Sequence, residues 1–398
     1  MGLGAPAALF PLAGALVGCG LGLYTPAAAV RHAEQSVVAG PGIELRAVAL
    51  AAGGAHTCAI DDRGRVVCWG DDRAGQAGLE PRTDRTLPHF IALPESATAV
   101  AAGGRHTCAL TASGAAWCWG ANDFGQLGDG SRTWRTRPVR VKFDAPLASI
   151  AVGGDHSCAL DRTGQAFCWG DQWDRAVGAY DAGGNVLEPM PVRRAPRLRS
   201  ISGGLHHTCG VDVEGVVHCW GANVDGQAGQ RRRASAYVSA PAEVPLPAAA
   251  RSVSAGGEHS CALLGDGRVE CWGRDRERAL DTRTAAGSSA QTAQTEMALR
   301  PVTQLSVGRR ETCAVTVGGA VQCWGGVRAV RAAAHVAAPP AEPTPFTLVS
   351  AGAGHVCALA QRGAVWCWGD NAHGQLGIPG APSPPSPPTP VRVGAGAR

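Results

Sequence analysis

From Gly53 the chain reads GGAHTCAIDDRGRVVCWG, residues 53–70. Two apolar runs of strand length, Cys58-Ala59-Ile60 and Val66-Val67-Cys68-Trp69, flank the polar stretch Asp61–Arg65, which has the length of a hairpin turn. The turn can be placed. A three-residue hairpin loop is a type I turn closed by one residue at positive φ, a conformation glycine adopts without steric cost. With Gly64 there, the loop is Asp62-Arg63-Gly64. Asp61 then faces Arg65, Ile60 faces Val66, Ala59 faces Val67 and Cys58 faces Cys68. Hydrogen-bonded and non-hydrogen-bonded pairs alternate along such a ladder. The cysteines fall on a non-hydrogen-bonded pair, with Cα atoms about 4.5 Å apart. That separation lies at the short end of what a disulfide spans.

The pattern recurs. Cys58 with Cys68 is followed by Cys108 with Cys118, Cys158 with Cys168 and Cys209 with Cys219. Cys261 with Cys271, Cys313 with Cys323 and Cys357 with Cys367 complete the series. The first cysteines step by 50, 50, 51, 52, 52 and 44 residues, so the chain holds seven units of about fifty. Six residues after each first cysteine stands a glycine: Gly64, Gly114, Gly164, Gly215, Gly267, Gly319 and Gly363. A Gly-Gly entry and a histidine usually precede the hairpin. Trp-Gly, a turn-rich stretch and a variable loop follow it. The residue after each first cysteine is small, and Trp117, Phe167 and Trp366 stand opposite it in three units. Small against large is how facing strands fill a fixed gap.

Composition adds the compartment. Fifteen cysteines in 398 residues leave only Cys19 outside the pairs. Zinc ligands cluster two to four residues apart, whereas nine residues separate the members of each pair here. Disulfides fit better and imply an oxidising compartment. Residues 7–18, AALFPLAGALVG, are too short to span a bilayer and suit a signal-peptide core. They end in Leu16-Val17-Gly18-Cys19, which resembles a bacterial lipoprotein signal with Cys19 as the lipid anchor. An ordinary signal cleaved near Ala27-Ala28-Ala29 is the other reading. The expected division is a signal peptide over 1–18, a linker over 19–42 and a repeat domain over 43–398. A net charge of +4 with scattered signs, and a single lysine, Lys142, does not argue for nucleic acid.

CWGANDFGQLG at 118–128 and CWGDNAHGQLG at 367–377, each behind the hairpin, resemble the repeat of the regulator of chromosome condensation family. The cysteine-containing form resembles exported bacterial members. The resemblance covers about 43–393 and implies an all-β, seven-bladed β-propeller. The first unit lacks a preceding strand segment with proline. TPVRV at 389–393 is expected to supply it, so that the C-terminal strand joins the N-terminal strand in one blade and closes the circle. Units five and six depart from the pattern. Unit five has lost Gly-Gln-Leu-Gly, and unit six has Glu311 in place of histidine.

No catalytic, cofactor-binding or metal site is expected. The histidine column, His56, His106, His156, His207, His259 and His355, is read as hydrogen bonding to neighbouring backbone, because one histidine per blade separates the ligands. Asp and Asn after Trp-Gly are read as turn formers. No serine-hydrolase elbow, phosphate loop or zinc-protease motif is present. QRRRAS at 230–235 is read as a solvated loop, and PGAPSPPSPPTP at 379–390 as an extended spacer. The expected function is an exported, lipid-anchored, monomeric binding scaffold for a protein or surface polymer. It would act through the variable loops 129–142, 180–198, 230–248, 274–300 and 326–345. Membrane contact is expected only through the lipid. The alternative is an extracytoplasmic, polysaccharide-active enzyme with its site at one mouth of the channel. Guanine-nucleotide exchange and chromatin binding, which the resemblance would bring, are not expected, since export places the chain where neither partner lives.

Overall fold

The hairpin forms in all seven units. In the first, Cys58 faces Cys68, Ala59 faces Val67 and Ile60 faces Val66. Asp61 donates its N–H to the Arg65 carbonyl at 2.9 Å. The seven turn glycines have φ between +73° and +90°. The thiols are joined as the register requires. Cys58 is bonded to Cys68, Cys108 to Cys118, Cys158 to Cys168 and Cys209 to Cys219. Cys261 is bonded to Cys271, Cys313 to Cys323 and Cys357 to Cys367. The Cα atoms of each pair lie 4.0–4.1 Å apart, slightly closer than the ideal ladder spacing. This computed structural model describes residues 42–79, 84–178, 184–230, 235–275, 289–294, 301–326, 335–336, 345–378 and 386–394. Cys19, the signal segment and most of the linker lie outside them. No helix among the described residues is long and apolar enough to cross a membrane.

The seven hairpins are the middle of seven four-stranded antiparallel sheets, each made of consecutive strands. Blade 1 runs through Ala47–Ala52, His56–Asp61, Val66–Gly70 and Arg85–Ile91. The later blades open at Ala97, Leu147, Leu198, Ala250, Val302 and Phe346. First strands touch first strands of both neighbouring blades, which places them around the axis. The Trp-Gly tryptophans fill the gaps between blades: Trp69, Trp119, Trp169, Trp220, Trp272 and Trp368 are fully buried and Trp324 nearly so.

Two belts of backbone hydrogen bonds tie the blades into a ring. At one face Gly54, Gly104, Gly154, Leu205, Gly257, Arg309 and Ala353 each donate an N–H to the carbonyl of the next blade's entry glycine, at 2.8–3.2 Å. The last of these, Ala353 to Gly53, closes the circle. At the other face the carbonyl of each hairpin glycine accepts from the first strand of the next blade, and Gly363 accepts from Ala47 at 2.7 Å. A shape repeated seven times round a closed ring leaves no belt donor without its acceptor.

Two expectations need correction. The chain ends pair antiparallel as expected, with Ile43 opposite Val393, but outside any blade. Gly42–Glu44 and Arg392–Gly394 form a two-stranded ribbon whose C-terminal strand lies against the outer strand of blade 1. Blade 1 already has four strands, so the ribbon pins the ends rather than completing a sheet. The variable stretches, in turn, are not all loop. They carry the outer strands Arg135–Arg140, Val186–Pro191, Tyr237–Val244, Ser289–Gln294 and His335–Val336. The proline-rich spacer likewise contains Ser386–Pro390, paired to the third strand of blade 7. An edge strand pairs on one side only and tolerates proline there, so composition disguises it.

Candidate functional site

Strand direction sorts the connections. The Gly-Gly turns and the segments following every third strand leave from one face, here called the entry face. The hairpin tips and the connections to the next blade leave from the other. The turn after Trp-Gly is held as the sequence suggested. The side-chain oxygen Oδ1 of Asp72, Asn122, Asn223 and Asn371 accepts the N–H of Ala77, Leu127, Ala228 and Leu376, at 2.8–3.2 Å.

Each histidine of the column reaches a hydroxyl in the next blade, not backbone. Nε2 of His56, His106, His156, His207, His259 and His355 lies 2.7–2.9 Å from the hydroxyl of Thr107, Ser157, Thr208, Ser260, Thr312 and Thr57. Thr107 donates its own proton to the Gln76 carbonyl at 2.8 Å, so His56 must donate from Nε2. The bare Nδ1 faces the entry glycine: a Cβ on Gly53 would lie 2.6 Å from His56 Cε1. Nδ1 of His56, His106, His207 and His355 has no partner among the described residues, so a second proton there would be buried without an acceptor. Burial accordingly holds His56, His106, His156 and His207 at a pKa of about 3, and His259 and His355 at about 4. These are neutral residues of the seams, each committed through Nε2 to a hydroxyl of the next blade.

The same carbonyl also serves the tryptophans. Gln76 O accepts from both Thr107 and Trp119, and Gln375 O from both Thr57 and Trp69 across the closing seam. Gln126, Ala176 and Gln227 repeat the arrangement. Units five and six have lost this turn motif, and Trp324 and Trp368, which would use it, have no partner for their indole N–H among the described residues. The Glu311 exception is explained here. Its counterpart in blade 7 is Val356, where other blades have Thr or Ser, so donor and acceptor of that seam are replaced together. Replacing both as Glu311→His with Val356→Thr is expected to show a stabilising coupling of about 1–2 kcal/mol in a double-mutant cycle read by urea unfolding. Strict additivity of the two single changes would refute the pairing.

Charged groups gather on the entry face. Asp71, Asp84 and His373 bring three donor atoms within 4.8 Å of one another where blade 7 meets blade 1. Arg73 sits among them and grips both Asp71 oxygens at 2.8 and 2.9 Å, so a cation of the protein's own occupies the cluster. In blade 2 Asp123 takes Arg105 at 3.2 Å and the Trp134 indole at 2.9 Å. In blades 3 and 4 Asp155, Asp171 and Asp174 lie around His206, whose Nδ1 is 3.2 Å from Asp174. Burial pushes the carboxyls of Asp155 and Asp174 upward; Asp171 adds to this, while His206, and for Asp155 also Arg105, oppose it. Beside them Trp173 is 84% exposed. Of these residues the extra histidine of unit four, His206, stands out in the sequence. Trp173 is hidden in a turn that merely looks like a degenerate copy of its neighbours.

A family model described as RCC1-like domain matches residues 18–287, and an RCC1 repeat model matches 346–375. The chain belongs to the RCC1-like family. Among curated RCC1-type relatives, the Drosophila melanogaster regulator of chromosome condensation is 35% identical over 104 residues, 25% of this chain and 19% of that protein. The human regulator is 35% identical over 109 residues, 25% of each chain. Protein pim1 of Schizosaccharomyces pombe is 29% identical over 156 residues, 35% of this chain and 29% of that protein. The matches thus span between about a fifth and a third of these relatives' own length. Human WBSCR16 shares the RCC1-like fold at a TM-score of 0.73 and 20% identity, covering 83% of this chain and 93% of that one. So does Prp20p of Saccharomyces cerevisiae, described with its binding to Gsp1p and histones, at 0.66 and 21%, covering 76% and 80%.

Proposed function

We propose that this RCC1-like propeller is exported, anchored through a lipid on Cys19, and binds a partner protein with its entry face. One observation carries the choice of face. The turns after the third strands all emerge there, and their third position places Arg73, Asp123, Trp173, Val224 and Ala372 at equivalent points round the rim. Recognition on repeat scaffolds concentrates in such turns, because the sheet beneath holds them rigidly. Seven disulfides support export, and the segment ending in Leu16-Val17-Gly18-Cys19 supports the anchor. Binding to other proteins, Gsp1p and histones, is also what is named for Prp20p.

The test is comparative capture from an envelope extract with the intact chain. The rim variant Arg73→Ser, Asp123→Ser and Val224→Ser is expected to recover the partner about tenfold less. A hairpin-face variant, Val213→Ser with Val317→Ser, changes two exposed apolar residues of the opposite face and is expected to recover it unchanged. Equal capture by the rim variant and the parent would end this assignment.

A further inference from the structure

Trp173 is the most exposed of the large apolar side chains among the described residues, at 84%. Its backbone is nonetheless fixed. Its N–H bonds to Asp171 Oδ1 at 3.0 Å, Arg175 N–H to the Gln172 carbonyl at 3.0 Å, and Asp171 N–H to the Asp155 carbonyl at 2.8 Å. The ring is therefore presented from a rigid turn. The same turn position in blade 4 holds Val224, 56% exposed, and the outer strand of that blade opens with the half-exposed Tyr237.

The charge beside this apolar rim is one-sided. Asp71 has Arg73, and Asp123 has Arg105, as ion-pair partners on the same face. Among the described residues no arginine or lysine forms an ion pair with Asp155, Asp171 or Asp174. Arg105, held by Asp123, acts on Asp155 only through space. The polar side-chain neighbours of the three are His206 on Asp174 and Gln126 Nε2, 3.3 Å from Asp155. Arg175 belongs to the same turn but is not among the charges that act on Asp155 or Asp174. It occupies the place of Gly75 and Gly125, where a Cβ would meet Thr136 and Leu187 in the outer strand of the following blade. Its side chain therefore sets out away from the axis.

We propose that this sector of blades 3 and 4 docks a basic segment of the partner protein, an arginine or lysine side chain lying on Trp173 with its head among Asp155, Asp171 and Asp174. Tryptophan is the strongest cation–π acceptor, and a guanidinium stacks on it flat. The carboxylates supply the charge that this face elsewhere meets with its own arginines. The protein as a whole carries +4 and repels a polycation, so attraction to one requires a local acidic site. This inference rests on the entry face being the binding face.

The test uses a fluorescent deca-arginine peptide and the full oxidised chain. The parent is expected to bind, more weakly as salt rises. Trp173→Ala is expected to weaken binding about tenfold, as is Asp171→Asn combined with Asp174→Asn, with Trp173→Phe recovering most of the loss. Asp62→Asn, on the hairpin face, is expected to change nothing. No binding by the parent, or equal affinity for parent and Trp173→Ala, would overturn the proposal. If the peptide fails while the rim variant still loses its captured partner, the face binds a partner of different chemistry. If both fail, the choice of face falls with it.

Discussion

Alkylation of the oxidised, denatured protein without reductant is expected to label at most one cysteine, Cys19, and to label the other fourteen only after reduction. Reduction is then expected to unfold the chain. Each bridge closes a loop with a sequence separation of 10. Such a loop removes about 3 kcal/mol of chain entropy from the unfolded state. The seven bridges lie in separate blades and constrain separate stretches, so their effects add, to roughly 20 kcal/mol. That exceeds the net stability of a typical domain, about 5–15 kcal/mol. The far-ultraviolet β signal and the cooperative urea transition should both vanish in reductant. A reduced protein that still melted cooperatively within a few degrees of the oxidised one would show that the bridges are incidental.

Acidification from neutral pH to about pH 5 is expected to destabilise the fold severely, well before the carboxylates titrate. The six seam histidines have folded pKa values of about 3 to 4, against an ordinary 6.5. Between those limits the unfolded chain binds more protons, so stability falls as pH drops below 6.5 and the loss ends near 3–4. By pH 5 each histidine costs about 2 kcal/mol, and six together roughly 12. Asp71, Asp129 and Asp161, held below the usual carboxylate range, contribute only at lower pH, while Asp155 and Asp174 act in the opposite sense. Urea midpoints at stepped pH, with proton uptake on unfolding, measure the effect. His156→Gln should lower the uptake near pH 5 by about one proton. A midpoint constant from pH 7.5 to about 5 would mean that the six rings take up protons as readily in the fold as in the unfolded chain.

Much of the blade was legible because its determinants are close in sequence. Asp62-Arg63-Gly64 specifies the turn, and the turn dictates which residue faces Cys58. The period gives the number of blades. The Trp-Gly column was recognisable as core because Trp needs both a large buried area and one acceptor. The outer strands were obscured. Arg135–Arg140 and Ser386–Pro390 carry prolines and lie at sheet edges, so neither alternation nor composition marks them as strand. The meaning of Glu311 was obscured because its counterpart, Val356, stands in the next repeat, and only the seam hydrogen bonds of the other blades link the two columns. Trp173 escaped notice for a related reason. Its turn reads as one more copy, and exposure is a property of the assembled rim.

The residue order alone determined seven hairpins, their register and the pairing of fourteen thiols, since each of these closes within about ten residues at small entropic cost. What the tertiary structure decided is everything that crosses a seam. Thr57 and His355 meet although 298 residues separate them. Their contact is set by the angle at which the last blade returns to the first, and no local pattern encodes that angle. The same ring geometry brought Asp155 and, from the next blade, His206 beside the turn that carries Asp171, Trp173 and Asp174.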